Sequence, residues 1–453
     1  MTPIVWLVLL LAAVLEVSGD LTIRRGMKQS QWWLVVGGMC VLGLYGFVVN
    51  RSQWDFSRLL GVYVAFFALV AVLTGRFYLH EYVPRSTWIG LAFIIGGGLV
   101  IQFGTPLFAQ SPNRSIDSLM AQYAHRQGPG ASVLVVRDGR VAYMKGYGLA
   151  DVETGAPVTV SSNFRLASLS KQFTATAIML LVADGRLRYD DAITTLLPGL
   201  PSLANGVTVR HLLNHTSGLP DYEDFVPDSQ TAQVHDRDIP RLIALASALK
   251  FPAGARFAYS NTGYGLLALI VERTSAQRFA DFLHDRIFAP LDMTTTVAHE
   301  DGRSVVARRA YGYSINATGV RRTDQSNTSA VLGDGGIYSS AADLAKWDRA
   351  LEQHTLVAAD AQQLAWTPPV LGVGQFTEYG FGWFADHDHG ALRLRHHGES
   401  RGFTNSILRY PEKGLTVVIL TNRTGGTPWD IAQRIAELYL DPSTGAPSAA
   451  WHP

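Results

Sequence analysis

The residues best suited to chemistry in this 453-residue chain begin with the S-x-x-K sequence from Ser168 to Lys171. A serine hydroxyl is a weak nucleophile and needs an adjacent base. Residues three apart share one face of a helix, so the Lys171 amine can reach the Ser168 hydroxyl. Burial and neighbouring cations would lower the pKa of such a lysine and let it accept the proton. The pattern is common by chance on helix surfaces, so other residues must support it.

Two later motifs contain groups that would complete such a site. Tyr259 and Asn261 form a Y-x-N sequence, and period-two spacing puts both on one side of an extended stretch. We expect Tyr259 to pass protons and Asn261 to hold a substrate carbonyl; the simpler alternative is a loop tyrosine and a turn asparagine. His396 and Gly398 would give an edge strand a donor and close substrate access. The alternative there is a pair of surface histidines beside a turn.

The order of these motifs resembles the serine β-lactamase, D-alanyl-D-alanine peptidase and esterase superfamily, and its class C-like branch in particular. The resemblance covers residues 113–440 and extends to residues 164–168, 211–220, 259–264, 287–293 and 335–340. It implies that Ser168 is the acylated nucleophile, Lys171 its proton partner and Tyr259 a proton shuttle. It also implies that Asn261 contacts the substrate and that His396 opens the third motif, which continues through Gly398. The backbone N–H groups of Ser168 and Glu399 would form the oxyanion hole.

Two departures from the family pattern bear on the substrate. His396 stands where class C enzymes have the lysine that binds the carboxylate of a β-lactam, so we expect peptide or ester cleavage before antibiotic hydrolysis. Glu399 stands where a small residue is commoner. Its negative charge would repel a substrate carboxylate, unless Arg401 pairs with it.

The elements around the motifs predict one sheet made from both ends of this region. Residues 131–150 read as a hairpin turning at Asp138-Gly139. A helix is expected at about 169–184 and a closing helix at 429–440, with strands at 391–395, 404–410 and 415–421. Together with the resemblance, this predicts an α/β (α+β) domain of the β-lactamase/transpeptidase type. An antiparallel sheet would be flanked by helices, with a helical subdomain.

The first 110 residues differ sharply from the rest. Mean hydropathy of the whole chain is +0.11, and the excess comes from apolar stretches at about 3–19, 32–50, 59–79 and 88–108. Each is close to the roughly 20 residues that a helix needs to cross a bilayer. Four such stretches predict an N-terminal all-α four-helix transmembrane domain. The excess of Lys and Arg in the first and third connections puts these in the cytoplasm, and so the hydrolase domain outside it, periplasmic or extracellular.

Glu16 lies inside the first apolar stretch, where a carboxylate is costly and usually has a partner or a water-filled path. The alternative is that it reaches the helix end beside Asp20. Residues 11–19 and Arg24 resemble the first helix of the small multidrug resistance transporters, which implies a membrane-embedded Glu that binds protons and cationic drugs. Tyr63 stands where that family has a Trp. We therefore expect this region to be a membrane anchor derived from that fold.

These observations define the predicted organisation: a transmembrane domain at 1–110, a linker at 111–114, a hydrolase domain at 115–441 and a tail at 442–453. A net charge of +1 and the lack of a basic recognition motif argue against nucleic acid as a partner. The expected partners are a small-molecule or peptide substrate, the lipid bilayer and, through the membrane domain, a second copy. No metal or organic cofactor is expected, since His211 and His215 have zinc-like spacing but no third ligand.

Two other functions are compatible with the sequence. The first is a transporter-like membrane protein with a hydrolase-derived sensor or ligand-binding domain. The second is a catalytically inactive ligand-binding domain on an anchor, which three intact motifs argue against.

Overall fold

The structure is a computed structural model, and it describes residues 3–50, 56–108, 112–227, 229–317, 319–371 and 377–440. The chain divides into two units, Met1–Ser111 and Pro112–Pro453, which are taken separately. The predicted tail at 442–453 lies outside the described residues.

The first unit is helical. It contains α1 (Pro3–Lys28), α2 (Trp32–Asn50), α3 (Phe56–Leu73) and α4 (Arg85–Phe108), and a π-helical turn (Thr74–Tyr78) follows α3. In the part of the chain that the structure describes, no helix is both long enough and apolar enough to cross a membrane. The described helices therefore give no support to the predicted transmembrane domain or to the bilayer as a partner.

Glu16 is half-buried in α1 and has a partner within the unit. The Tyr63 hydroxyl on α3 donates a hydrogen bond to the Glu16 carboxylate, and the Tyr45 ring stacks on Tyr63 at 5.5 Å between centroids. Leu9 and Val62 are buried nearby. Glu16 therefore has a partner inside the unit, as a carboxylate in an apolar stretch usually does, and does not extend to the helix end beside Asp20.

The second unit opens with α5 (Pro112–Leu119), which begins inside the predicted linker at 111–114. Proline suits the first turn of a helix, because that N–H needs no intrahelical partner. A 3₁₀ turn (Ala121–Tyr123) follows the helix. Ile116 and Tyr123 are fully buried, which fixes this segment on the sheet.

The strands and the remaining helices follow in chain order. The strands are β1 (Ala131–Arg137), β2 (Arg140–Tyr147), β3 (Leu149–Asp151), β4 (Ala156–Pro157), β5 (Phe164–Arg165), β6 (Val297–Ala298), β7 (Tyr313–Asn316), β8 (Gly319–Arg322), β9 (Ile337–Ser339), β10 (Phe384–Asp388), β11 (Ala391–Ser400), β12 (Phe403–Tyr410) and β13 (Leu415–Thr421). The helices are α6 (Lys171–Ala183), α7 (Ile193–Leu196), α8 (Val209–Leu213), α9 (Ile239–Ile243), α10 (Asn261–Ser275), α11 (Phe279–Leu283), α12 (Leu332–Gly335), α13 (Ala341–Glu352), α14 (Ala359–Ala365) and α15 (Pro428–Leu440).

Six of the described strands form one antiparallel sheet in the order β10-β11-β12-β13-β1-β2. The first strand after the N-terminal unit, β1, lies between β2 and the last strand, β13, with Val133 opposite Ile419. The predicted sheet from both ends of the region, with helices inserted between, is therefore confirmed. The third motif is not on an edge strand as expected, because β11 pairs with both β10 and β12.

The two faces of this sheet are both buried, as alternation along β13 shows. Val417 and Ile419 pack in the core beneath α5 and α15. Val418 and Leu420 point the other way, into the larger core that contains α6. Side chains alternate between the faces of a strand, so a run of seven apolar or small residues can fill both layers. The result is a rigid sheet with α6, and the residues at its start, on one face.

Candidate active site

Ser168 lies in a 3₁₀ turn (Ala167–Ser170) that joins β5 to α6. Ala167 has φ +50°, a left-handed conformation that a residue with a Cβ rarely adopts. Strain of this kind persists only where the surroundings hold it. Here it leaves Ser168 half-buried and reachable, while the residues on either side of it are buried.

Lys171 is fully buried at the start of α6 and joins three separate elements. Its Nζ donates to the Ser168 Oγ at 3.1 Å, to the Asn261 Oδ1 at 2.9 Å and to the Asp334 backbone oxygen at 2.8 Å. The faces of Tyr259 and Tyr264 lie 5.0 and 5.5 Å from the same nitrogen. The S-x-x-K and Y-x-N motifs, 90 residues apart, thus meet at one amine.

The Y-x-N segment is extended only in part. Asn261 is already the first residue of α10, and its backbone N–H donates to the Asp221 carboxylate at 2.7 Å. The predicted extended geometry is therefore wrong at Asn261, although both motif side chains still face Lys171. The His215 imidazole accepts the Ser260 N–H at 3.2 Å and lies 4.2 Å from the Tyr259 ring, so it supports the segment.

His396 is buried in β11 and its ring is fixed at both nitrogens. Its Nδ1 donates to the His397 backbone oxygen at 2.6 Å, because a carbonyl can only accept. The other nitrogen, Nε2, then accepts the Tyr379 hydroxyl at 3.0 Å. Burial, followed by the charge of Lys171, lowers the pKa of His396 to about 3. The imidazole is therefore neutral at ordinary pH and gives the site no positive charge.

Gly398 has a structural role that differs from the expected substrate access. A Cβ at this position would lie 2.1 Å from the Leu166 backbone oxygen, far inside any real contact. The missing side chain lets β11 approach the segment that carries Ser168. Glu399, the next residue, is exposed. Among the described residues it forms no ion pair with Arg401, so the alternative in which Arg401 neutralises it is not found.

Sequence reasoning missed several residues that hold the site. Asn405 is buried opposite Gly398 on β12, and its amide donates to the backbone oxygens of Arg165 and Leu166 at 2.8 and 3.3 Å. Asp334 contributes its backbone oxygen to Lys171, and its carboxylate accepts the Tyr222 hydroxyl at 2.9 Å. Burial raises the pKa of Asp334 to about 7. Neither residue belongs to a short motif, so the sequence carried no local signal for them.

In the part of the chain that the structure describes, no group of His, Cys, Asp and Glu side chains could hold a metal ion. His211 is used locally, since its Nδ1 accepts the Thr208 backbone N–H at 3.2 Å. Asp386 and Asp388, which lie beside His387 and His389, are held by Arg393. β10 extends through Asp388, so these two aspartates lie on a strand.

The fold and the arrangement around Lys171 define a serine hydrolase of the penicillin-recognising type, and residues 114–440 match the Beta-lactamase family model. The chain belongs to that family. It is 33% identical to penicillin-binding protein 4* of Bacillus subtilis (strain 168) over 338 residues, which cover 71% of this chain and 74% of that protein.

Similarity to this chain extends to solved structures, of which two serve as examples. The octameric penicillin-binding protein homologue from Pyrococcus abyssi is 29% identical, with a TM-score of 0.61, and the match covers 73% of this chain and 76% of that one. The D-amino acid amidase from Ochrobactrum anthropi SV3, complexed with L-phenylalanine amide, is 26% identical, with a TM-score of 0.62 and coverage of 72% and 99%.

Proposed function

We propose that the second unit hydrolyses an amide, peptide or ester bond through an acyl-Ser168 intermediate. The observation that carries this is the buried Lys171 amine, which lies 3.1 Å from the half-buried Ser168 hydroxyl. A lone lysine at that depth would be costly, since burial of an unpaired charge is strongly unfavourable. Three acceptors and two tyrosine faces around it indicate a built proton-transfer site.

The reaction follows from the placement of these groups. Ser168 Oγ attacks the substrate carbonyl while its proton passes to the Lys171–Tyr259 pair. The C–N or C–O bond to the leaving group breaks, and the leaving group takes that proton. Water then attacks the acyl carbon, gives up a proton by the same route and restores the Ser168 hydroxyl. We expect the backbone N–H groups of Ser168 and Glu399 to stabilise the oxyanion that forms in each step.

The charges at the site favour a substrate without a carboxylate beside the scissile bond. His396 is buried and neutral, so it cannot replace a cationic lysine as the carboxylate partner. The exposed Glu399 adds negative charge at the end of the same strand. A D-amino acid amide, a D-peptide bond or an ester meets these conditions better than a β-lactam, and the similarity to a D-amino acid amidase supports the same class.

Activity profiling tests the proposal on the full chain. A fluorophosphonate probe should label the wild type and not Ser168→Ala, while Ser202→Ala, which removes an exposed serine, should label normally. D-amino acid amides and short-chain esters should be cleaved faster than penicillins. Absence of labelling in the wild type, or equal labelling of Ser168→Ala, would remove the proposal.

We infer from the sequence alone that the first unit is attached to a membrane and that the hydrolase unit lies outside the cytoplasm. The support is the pattern of apolar stretches and the distribution of Lys and Arg, and no described helix adds to it. An enzyme reporter fused after Pro453 should be active only outside the cytoplasm. A Glu16→Gln variant that loses a transport phenotype while Ser168→Ala keeps it would favour the transporter alternative instead.

A further inference from the structure

Two aromatic side chains beside the active site are unusually exposed. Phe257 and Tyr259 are 36% and 38% exposed, while the other Phe, Tyr and Trp residues that the structure describes in the second unit are buried or half-buried. They alternate along the extended segment that precedes α10, so both project to one side. Large apolar groups left in water beside a catalytic group indicate a surface that a ligand covers.

A third ring completes the surface. Phe384 lies on the edge strand β10, and its ring is 6.5 Å from that of Tyr259, with the two planes within 6° of parallel. The Phe257 and Phe384 centroids are also 6.5 Å apart. We call Phe257, Tyr259 and Phe384 the aromatic wall.

The aromatic wall is held in place from behind. The buried Tyr379 ring packs edge-on against Phe384 at 4.7 Å, and the Arg395 guanidinium lies 4.9 Å from the centre of the same ring. Tyr379 itself donates to His396. The third motif and the wall are therefore parts of one packed unit, which keeps the rings in fixed positions.

The aromatic wall also borders the reacting groups, since the Tyr259 ring lies 5.0 Å from the Lys171 Nζ. A substrate whose carbonyl reaches Ser168 must place the atoms next to that carbonyl within a few ångströms of these rings. An aromatic or large apolar side chain there would gain both burial and ring contacts. A small side chain would leave the wall in water.

We propose that the aromatic wall is the acyl-side specificity pocket, and that it selects substrates with an aromatic or large apolar side chain next to the scissile carbonyl. This inference rests on the proposed function, because it assigns a side-chain preference to the same acyl transfer. Phe257 and Phe384 are specificity residues in this scheme, and Tyr259 serves both the pocket and proton transfer.

The test compares D-phenylalanine amide with D-alanine amide, and the assay measures ammonia release by the full chain. Ammonia is the leaving group in both, so any difference comes from the acyl side. We expect the wild type to prefer the phenylalanine substrate. Phe257→Leu and Phe384→Leu should lower its kcat/KM about tenfold, the order expected for lost apolar and ring contacts, and lower kcat/KM for the alanine substrate by a clearly smaller factor. Tyr439→Leu, which alters a half-buried ring on α15, is the matched control and should change neither.

A second measurement keeps the inference separate from the proposed function. The rate at which Ser168 reacts with a phenylalkyl and a methyl fluorophosphonate can be measured even if neither amide is a substrate. The wild type should favour the phenylalkyl probe, and Phe384→Leu should reduce that preference. Equal preferences in the wild type and both leucine variants would overturn the aromatic pocket while leaving the hydrolase. A wild type that reacts with neither probe would overturn both.

Discussion

Asn405 offers a direct test of how the sheet positions the nucleophile. Its amide group is fully buried and makes three hydrogen bonds: two to the backbone oxygens of Arg165 and Leu166, just before Ser168, and one from the Thr421 N–H at 3.0 Å. We expect Asn405→Ala to remove all three bonds. The Leu166 oxygen would keep the Leu169 N–H, at 3.3 Å, while the Arg165 oxygen and the Thr421 N–H would lose their side-chain partner in the protein interior. The segment that carries Ser168 would then lose its main tie to β12.

The magnitude follows from the number and burial of these bonds. A buried polar group without its partner costs about 1–3 kcal/mol, and the two losses share one site, so a total of about 2–5 kcal/mol is expected rather than the full sum. The second unit, Pro112–Pro453, is large, and an unfolding entropy of about 2.1 cal/mol/K per residue corresponds to a loss of about 1.4 °C in Tm per kcal/mol. We therefore expect the melting temperature of the second unit to fall by about 3–7 °C.

Thermal unfolding followed by circular dichroism measures the stability change, and the rate of fluorophosphonate labelling measures the position of Ser168. Labelling should slow by at least about tenfold at a temperature where the variant is folded, since a displacement of about 1 Å is enough for such losses. Asn205→Ala, which removes an exposed amide, is the control and should match the wild type. An Asn405→Ala protein that melts and labels like the wild type would refute this account.

The remaining predictions concern packing and pH. Gly398→Ala puts a methyl group 2.1 Å from the Leu166 oxygen, so probe labelling should fall at least about tenfold even for the smallest probe; normal labelling would instead support a substrate-access role. The folded state holds the Asp334 proton up to about pH 7, and the unfolded state releases it near pH 4. Stability should therefore fall as pH rises from about 4 to 7, and Asp334→Asn should remove that part of the slope in urea titrations. His396 affects stability in the opposite direction. Because its pKa is lowered to about 3 in the folded state, stability should fall as pH drops below about 6.5. His396→Gln should flatten that acid decline, and an unchanged slope would contradict the buried neutral imidazole.

Much of the second unit could be predicted because its signals are local. The Asp138-Gly139 turn, the alternation along β13 and the apolar face of α6 each depend on neighbours within a few residues. The S-x-x-K spacing works in the same way, since helical geometry alone brings Lys171 to Ser168. The change in composition after residue 110 was visible in the sequence. The helix α5, however, begins inside the predicted linker at 111–114.

The sequence-based predictions that the structure corrected have a different physical origin, because they depend on residues far apart in the chain. Whether β11 is an edge strand depends on β10, whose pairing partner is set by the whole sheet. The role of Gly398 depends on Leu166, which is more than 200 residues away in the chain. The charge of His396 depends on burial and on Lys171, so the sequence could name the residue but not its protonation state.

The sequence by itself determined the family, the order of the three motifs and the choice of Ser168 as the proposed nucleophile, because these depend on residue types at short spacings. Only the tertiary structure decided which groups surround the Lys171 amine, that the His396 imidazole is buried, and that Phe384 lies beside both Phe257 and Tyr259. Distance, burial and charge between elements far apart in the chain arise when the sheet closes, and no local pattern records them.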